Sequence, residues 1–99
     1  EKESAMNILF DPEKSRSAAY DDETCIGIAE VKESEGRWII THTEVDSAYG
    51  GQGIARRLIE EIIHAARRQG KKIIPVCSYA EKLMTRNDAY RDVLASQDS

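Results

Sequence analysis

VDSAYGGQGIARRL, residues Val45–Leu58, is the stretch whose reading decides the fold. A β-branched residue closes an extended segment, glycines at 50, 51 and 53 make a turn, and Ile54 opens a run with helical spacing. The first N–H groups of a helix have no intrahelical partners, and the helix dipole puts partial positive charge at the same end, so such a junction is a cradle for an anion. Glycine lets the backbone approach that anion closely and take positive φ. Three glycines alone are also what an ordinary strand-to-helix turn requires, so the flanking segments carry the argument.

Downstream, Ile54, Leu58 and Ile62 interleave with Ala55, Ile59 and Ile63 to form one apolar stripe, and Gly70 is placed to cap the helix end. The opposite face carries Arg56, Arg57, Glu60, Glu61, His64, Arg67 and Arg68. Such a face is ordinarily a solvated one, although Arg56 and Arg57 lie near enough to the turn to reach a phosphate. Upstream, short strands are expected over 5–10, 16–20, 25–32 and 38–45. Asp11-Pro12-Glu13 and Asp21-Asp22-Glu23 supply turns between them, and Glu33 to Gly36 closes a hairpin. Lys72 to Cys77 reads as a fifth strand, made parallel to the 38–45 strand by the intervening helix. Pro75 removes a ladder donor there, so the strand lies at an edge or its pairing is interrupted. An interruption would open a crevice at the carboxyl ends of the two strands. Residues 79–86 read as a short helix, 87–88 as a break, and 89–94 as a last helical turn or two.

The expected architecture is α/β: a mixed, mainly antiparallel sheet with one parallel, splayed strand pair and two main helices. Ninety-nine residues make one domain with one core, assigned here to 6–94. Residues 1–5, preceding Met6, are expected to be an expression remnant or an unstructured start, and 95–99 a frayed tail. No apolar run approaches the ~20 residues of a membrane span, and no signal peptide is evident. A net charge of −4 disfavours nucleic acid and anionic membranes, which select concentrated basic surfaces. Cys25 and Cys77 lack metal-ligand spacing, which points to a reduced cytoplasmic protein without a metal site. A small chain with an open sheet edge is expected to be a monomer or a weak homodimer.

Strand, glycine turn, helix and interrupted strand together resemble the GNAT superfamily of acetyl-CoA-dependent N-acetyltransferases, whose signature is [Gln/Arg]-x-x-Gly-x-[Gly/Ala]. Gly53-Ile54-Ala55 matches its second half, whereas Gly50 stands where Gln or Arg is usual and offers no side-chain contact. His42-Thr43 before the turn and Val76-Cys77-Ser78-Tyr79 after the helix are similar to a minimal branch of small acetyltransferase-like proteins. The likeness spans about 7–94. It implies acetyl-CoA as co-substrate and no metal, with the pyrophosphate on the backbone of residues 50–55 and the pantetheine arm between the splayed strands. The cofactor-binding set it implies is Val45, Gly50, Gly51, Gln52, Gly53, Ile54, Ala55, Arg56, Ser78 and Tyr79. The partner would be a small-molecule or peptide amine, admitted to an unusually open acceptor site. A CoA-binding or sensing module without acetyl transfer is the alternative reading.

Acetyl transfer needs a deprotonated amine, a polarised thioester carbonyl and a proton for the leaving thiolate. His42 is one candidate base, since an imidazole titrates near ~6.5. It is read as sharing a strand face with Trp38, Ile40 and Glu44, and Glu44 is the second candidate. Cys77 permits a two-step route through an acetyl-cysteine, provided that a base or a helix N-terminus assists its thiolate. Tyr90 is a candidate general acid, by analogy with a tyrosine late in the chain of many family members. Cys25, in an antiparallel strand far from the turn in sequence, is read as core.

Overall fold

The computed structural model describes residues 6–95 of the chain. Five strands form one sheet in the order β1-β2-β3-β4-β5: β1 Met6–Asp11, β2 Arg16–Asp21, β3 Thr24–Ser34, β4 Arg37–Val45 and β5 Lys72–Pro75. The first three pairings are antiparallel, and β4 with β5 is parallel. Two helices, α1 Ile54–Gln69 and α2 Ser78–Thr85, follow β4 and β5 respectively. This is the mixed sheet with two helices expected from the sequence. Residues 1–5 lie outside the described residues, as does the part of the expected tail beyond Ala95.

Local chemistry sets the hairpins. Between β3 and β4, Glu35 and Gly36 both take positive φ (55° and 78°), the paired left-handed geometry whose twist matches that of the flanking strands. Asp11 Oδ1 accepts the Glu13 N–H at 3.0 Å and so turns the chain between β1 and β2. The α1 stripe meets the sheet as its spacing requires: Ile54, Leu58, Ile59, Ile62 and Ile63 are all buried. Each such side chain contributes roughly 1.5–3 kcal/mol relative to exposure. Ala55 is only half-buried and faces a cavity. Gly70 caps the helix at φ 68°, its N–H bonded back to the carbonyls of Ala66 and Arg67. Ser17, buried among apolar groups, donates its hydroxyl to the Leu58 carbonyl at 2.8 Å, so its burial leaves no donor unsatisfied.

Two bulges break the alternation that the sequence implies. On β3, Ala19 pairs with Gly27 and Tyr20 with Cys25, leaving Ile26 as the extra residue. On β4, Val31 pairs with Ile40 and Glu30 with His42, leaving Thr41 extra. Trp38 and Ile40 therefore point into the core under α1, whereas beyond the bulge Val45 takes that side and His42 and Glu44 turn to solvent. The expectation that His42 shares a face with Trp38 and Ile40 is thus corrected, because one inserted residue flips every side chain after it. Cys25 is likewise corrected from core to surface. It is exposed beside the β3 bulge, its Sγ 3.6 Å from the Gly27 carbonyl.

Strand β5 ends at Pro75, two residues short of the expected Cys77, because Pro75 is where the ladder with Ile40 stops. The C-terminal segment has the last helical turn or two expected over 89–94, in 3₁₀ form, and adds a contact with β5. A 3₁₀ turn at Asp88–Tyr90 and further i→i+3 turns run through Leu94, which then bridges Ile73 of β5, with the Ile73 N–H donating to Val93 and the Ala95 N–H to Ile73. Ala95 is buried there, rather than part of a frayed tail. Arg67 fastens the stretch by donating Nε to Asp92 at 2.8 Å and a terminal nitrogen to the Ala89 carbonyl at 2.6 Å.

Candidate active site

Asp46 follows β4 and starts the turn, its Oδ1 accepting the Ala48 N–H at 2.9 Å. A 3₁₀ turn over Ser47–Tyr49 follows, then Gly50 in extended conformation, and Gly51 and Gly53 at φ 79° and 75°. Gly53 is the N-cap of α1, with no side-chain capping bond and no acidic residue in the first turn of the helix. The N–H groups of Ile54, Ala55 and Arg56 are thus left without the side-chain acceptor that a helix start usually has. A Cβ at Gly51 or Gly53 would meet no protein atom within 4 Å, so open space lies over the cradle. Gln52, exposed between them, leaves the backbone uncovered. A cavity of about 280 Å³ runs along this cradle from Val45 and Tyr49 past Gly53 and Ala55 to Tyr79 on α2. Uncapped amides, positive-φ glycines and an adjoining cavity fit a pyrophosphate with a narrow chain attached to it.

Tyr49 forms one wall of this cavity and is tied down from outside the turn. Its hydroxyl donates to Asp21 Oδ2 at 2.5 Å, across from the β2–β3 hairpin. The Asp21 carboxylate that accepts its proton holds the Tyr49 phenol above its ordinary pKa. The sequence marks Asp21 only as a turn residue and gives Tyr49 no role, since nothing in it links positions 28 apart.

Beyond Ile40 and Pro75 the two parallel strands part. The Ile40 carbonyl accepts both the Val76 and Cys77 N–H groups, at 3.1 and 2.9 Å, while β4 continues alone to Val45. Cys77 stands at this opening as the N-cap of α2, half-buried, with exposed Ser78 as the first residue of the helix. Its Sγ lies 3.3 Å from the Thr43 hydroxyl. Burial alone would push the thiol up. The Thr43 hydroxyl outweighs it together with the backbone N–H groups of Ala80, Tyr79 and Thr43, and the thiol lies below its ordinary pKa. The interrupted strand, the helix N-terminus and the Thr of the His-Thr pair therefore converge on one sulfur. Thr43 was quoted in the sequence only as part of a resemblance. Its role depends on the Thr41 bulge, which has no sequence mark.

The structure does not bring His42, Glu44 or Tyr90 to that sulfur. His42 Nε2 lies 3.1 Å from Glu44 Oε1, and both side chains are exposed on the far face of β4. Tyr90 is buried and donates its hydroxyl to Glu60 Oε2 at 2.7 Å, and Arg56 Nε donates to the same oxygen at 3.1 Å. Burial works against the Glu60 carboxylate, but the Tyr90 hydroxyl and the Arg56 guanidinium hold it below its ordinary value. Burial and the Glu60 charge push the Tyr90 phenol up. Arg56, read in the sequence as a phosphate ligand, is thus shared with an internal partner. Among the described residues, no group of three or more His, Cys, Asp or Glu side chains could hold a metal ion. Nor is any helix among them long and apolar enough to cross a membrane.

A family model described as GCN5-related N-acetyl-transferase matches residues 16–93, most of the chain. The chain belongs to the GCN5-related N-acetyltransferase family. Its fold is that of a GCN5-like protein from Staphylococcus aureus, solved in solution: TM-score 0.75 and 24% identity, over 97% of this chain and 94% of that one. It also resembles the crystal structure of ribosomal-protein-alanine N-acetyltransferase from Brucella melitensis biovar Abortus 2308. That likeness has a TM-score of 0.56 and 21% identity, over 85% of this chain and 63% of that one. At such identities these two structures speak for the fold. Among curated proteins, none matches the chain. Membership of the GCN5-related N-acetyltransferase family makes this an N-acetyltransferase by class and implies acetyl-CoA as its co-substrate.

Proposed function

We propose that the protein moves the acetyl group of acetyl-CoA to a primary amine, on a small molecule or a peptide, through an acetyl-Cys77 intermediate. The observation that carries this reading is the Cys77 sulfur at the β4–β5 opening, facing a hydroxyl and helix-terminal amides that favour its thiolate. The backbone of residues 50–55 would hold the pyrophosphate, with Val45 and Tyr79 flanking the pantetheine arm. Bound there, the co-substrate supplies an activated acetyl carbonyl.

In the first step the Cys77 thiolate attacks the acetyl carbon, a new S–C bond forms, the thioester bond breaks, and CoA leaves as its thiolate. In the second, an amine attacks the acetyl-Cys77 carbonyl, the C–N bond forms and the Cys77 thiolate departs, ready for another turn. The amine sheds one proton. That proton passes to solvent at the open site, since His42 and Glu44 pair with each other on the far face of β4. The sites at 43, 77, 79 and 80 act by holding negative charge on sulfur, and no acid at Tyr90 is needed.

Gly53→Glu tests the cradle by putting a side chain and a like charge where the pyrophosphate would lie. Acetyl-CoA affinity measured by calorimetry is expected to fall by more than roughly tenfold, a loss of about 1.4 kcal/mol. Unchanged affinity in a folded Gly53→Glu protein would remove the co-substrate from this turn.

A further inference from the structure

The sheet has two faces, and the helices cover one of them. Both helices bury their apolar residues in a single cluster with Ala19, Ala29, Trp38 and Ile40, so among the described residues no helix lies on the opposite face of β1–β4. The strand registers set what that bare face presents. One cross-strand row reads Asp11, Arg16, Glu30 and His42, one residue from each strand. The neighbouring row reads Leu9, Ala18, Ile28 and Glu44, with Leu9 left 47% exposed. The first row is thus negative, positive, negative and then an imidazole. At its centre Arg16 is half-buried and Glu30 exposed, and among the described residues neither forms an ion pair. The Arg16 Nε is buried with no acceptor. An arginine and a glutamate on adjacent strands with no bond between them keep both charges for a facing surface.

We infer that this face docks on the same face of a second copy of the chain, about a two-fold axis that runs parallel to the strands between β2 and β3. That operation reverses the order of the strands and lays each row on itself. Arg16 then meets the partner's Glu30, Glu30 meets the partner's Arg16, and Asp11 meets the partner's His42. In the neighbouring row Ala18 and Ile28 face each other in the same way. A two-fold axis along the row instead would set Arg16 on the partner's Arg16, so the order of charges selects one of the two face-to-face dimers. Packed sheets lie about 10 Å apart, a gap that Arg16 and Glu30 span from either side and in which Ile28 fits over small Ala18. Four strands about 4.8 Å apart and six residues at about 3.4 Å make a patch of roughly 20 by 20 Å. Such a patch stands at the low end of specific interfaces, near ~1,200 Å² in total. Desolvation of the charges and the net −4 on each copy both oppose association. The dimer is therefore weak, and its charges fix the register. Thr43, Val45 and Cys77 lie on the helix side, so the candidate active site stays open in it.

The test is sedimentation velocity on the whole protein from micromolar to millimolar concentration, where the wild type is expected to pass from monomer to dimer. Arg16→Glu sets a carboxylate on the partner's Glu30, and Glu30→Arg sets a guanidinium on the partner's Arg16. Each variant alone should associate more weakly by over roughly tenfold. Mixed in equal amounts, the two carry opposite charges at both contacts and should form a heterodimer about as tight as the wild-type dimer. A folding defect in either variant cannot produce that rescue. Arg16→Gln, which removes the charge and keeps the length, should also weaken the dimer and covers the case in which a charge reversal unfolds the chain. A wild type that stays monomeric at the highest concentration would overturn the inference without any variant. An unchanged dimer in Arg16→Gln would overturn it too, as would a dimer that persists in both charge reversals, the behaviour of one joined along the outer edge of β1. A mixture that stays monomeric while both variants keep the wild-type melting temperature would do the same.

Discussion

Cys77 and Cys25 are chemically the same side chain in two different settings. Cys77 caps a helix and faces the Thr43 hydroxyl, and its thiol is held below the ordinary value, near ~8.5, for an unperturbed cysteine. The direction fixes a pH dependence. Because the thiolate is the favoured form, alkylation of Cys77 in a Cys25→Ser background should rise through a midpoint below that of a free thiol. Thr43→Val removes the hydroxyl donor and keeps the shape, so its midpoint should move up and its rate at neutral pH should drop several-fold. Rates followed by peptide mass spectrometry across pH 5–10 would show this, and coincident profiles for the two proteins would exclude Thr43. Cys77 stood out in the sequence through the family resemblance, with a short helix expected just beyond it. The part of Thr43 did not, since the single inserted residue at Thr41 decides which way it points.

At the scale of elements, the glycine turn works because pieces from three places hold it. Asp46 starts it, Tyr49 walls it, and Asp21 on another hairpin fixes the Tyr49 ring. Tyr49→Phe keeps the ring and releases the latch. Its expected effect is a several-fold rise in KM for acetyl-CoA with kcat and the Cys77 alkylation profile unmoved, because only the binding wall is loosened. A change in kcat alone would place Tyr49 in the chemistry instead. The amphipathic stripe of α1, its Gly70 cap and the parallel β5 were legible in advance because period and capping are local properties. The strand face of His42 was not, because it depends on a bulge. The docking of residues 93–95 on β5 was not, because the bonds that decide it come from Ile73, with Arg67 holding the turn before it, about twenty or more residues away in sequence.

On the scale of the molecule, β5 is short and would be an open edge but for the C-terminal stretch laid against it. Arg67 on α1 is the clasp, holding Asp92 through two bonds and Ala89 through a third. Arg67→Ala should lower the melting temperature by roughly 4 °C and speed amide exchange at Ile73 and Ala95 before the rest of the sheet. Uniform exchange across all strands would mean that the stretch is no separate unit. The same strand ends at Pro75, two residues before Cys77, so the segment that the clasp holds lies against the strand that leads to that sulfur.

That sulfur is where the account is tested most directly. The intact mass of the protein would be recorded after incubation with acetyl-CoA, with Cys77→Ala as control and the adduct located by fragmentation. The expected result is one acetyl group per chain, on Cys77, absent from the control and discharged when a primary amine is added. An unmodified Cys77 in a protein shown to bind CoA, or an acetyl group carried equally by Cys25, would contradict the covalent route.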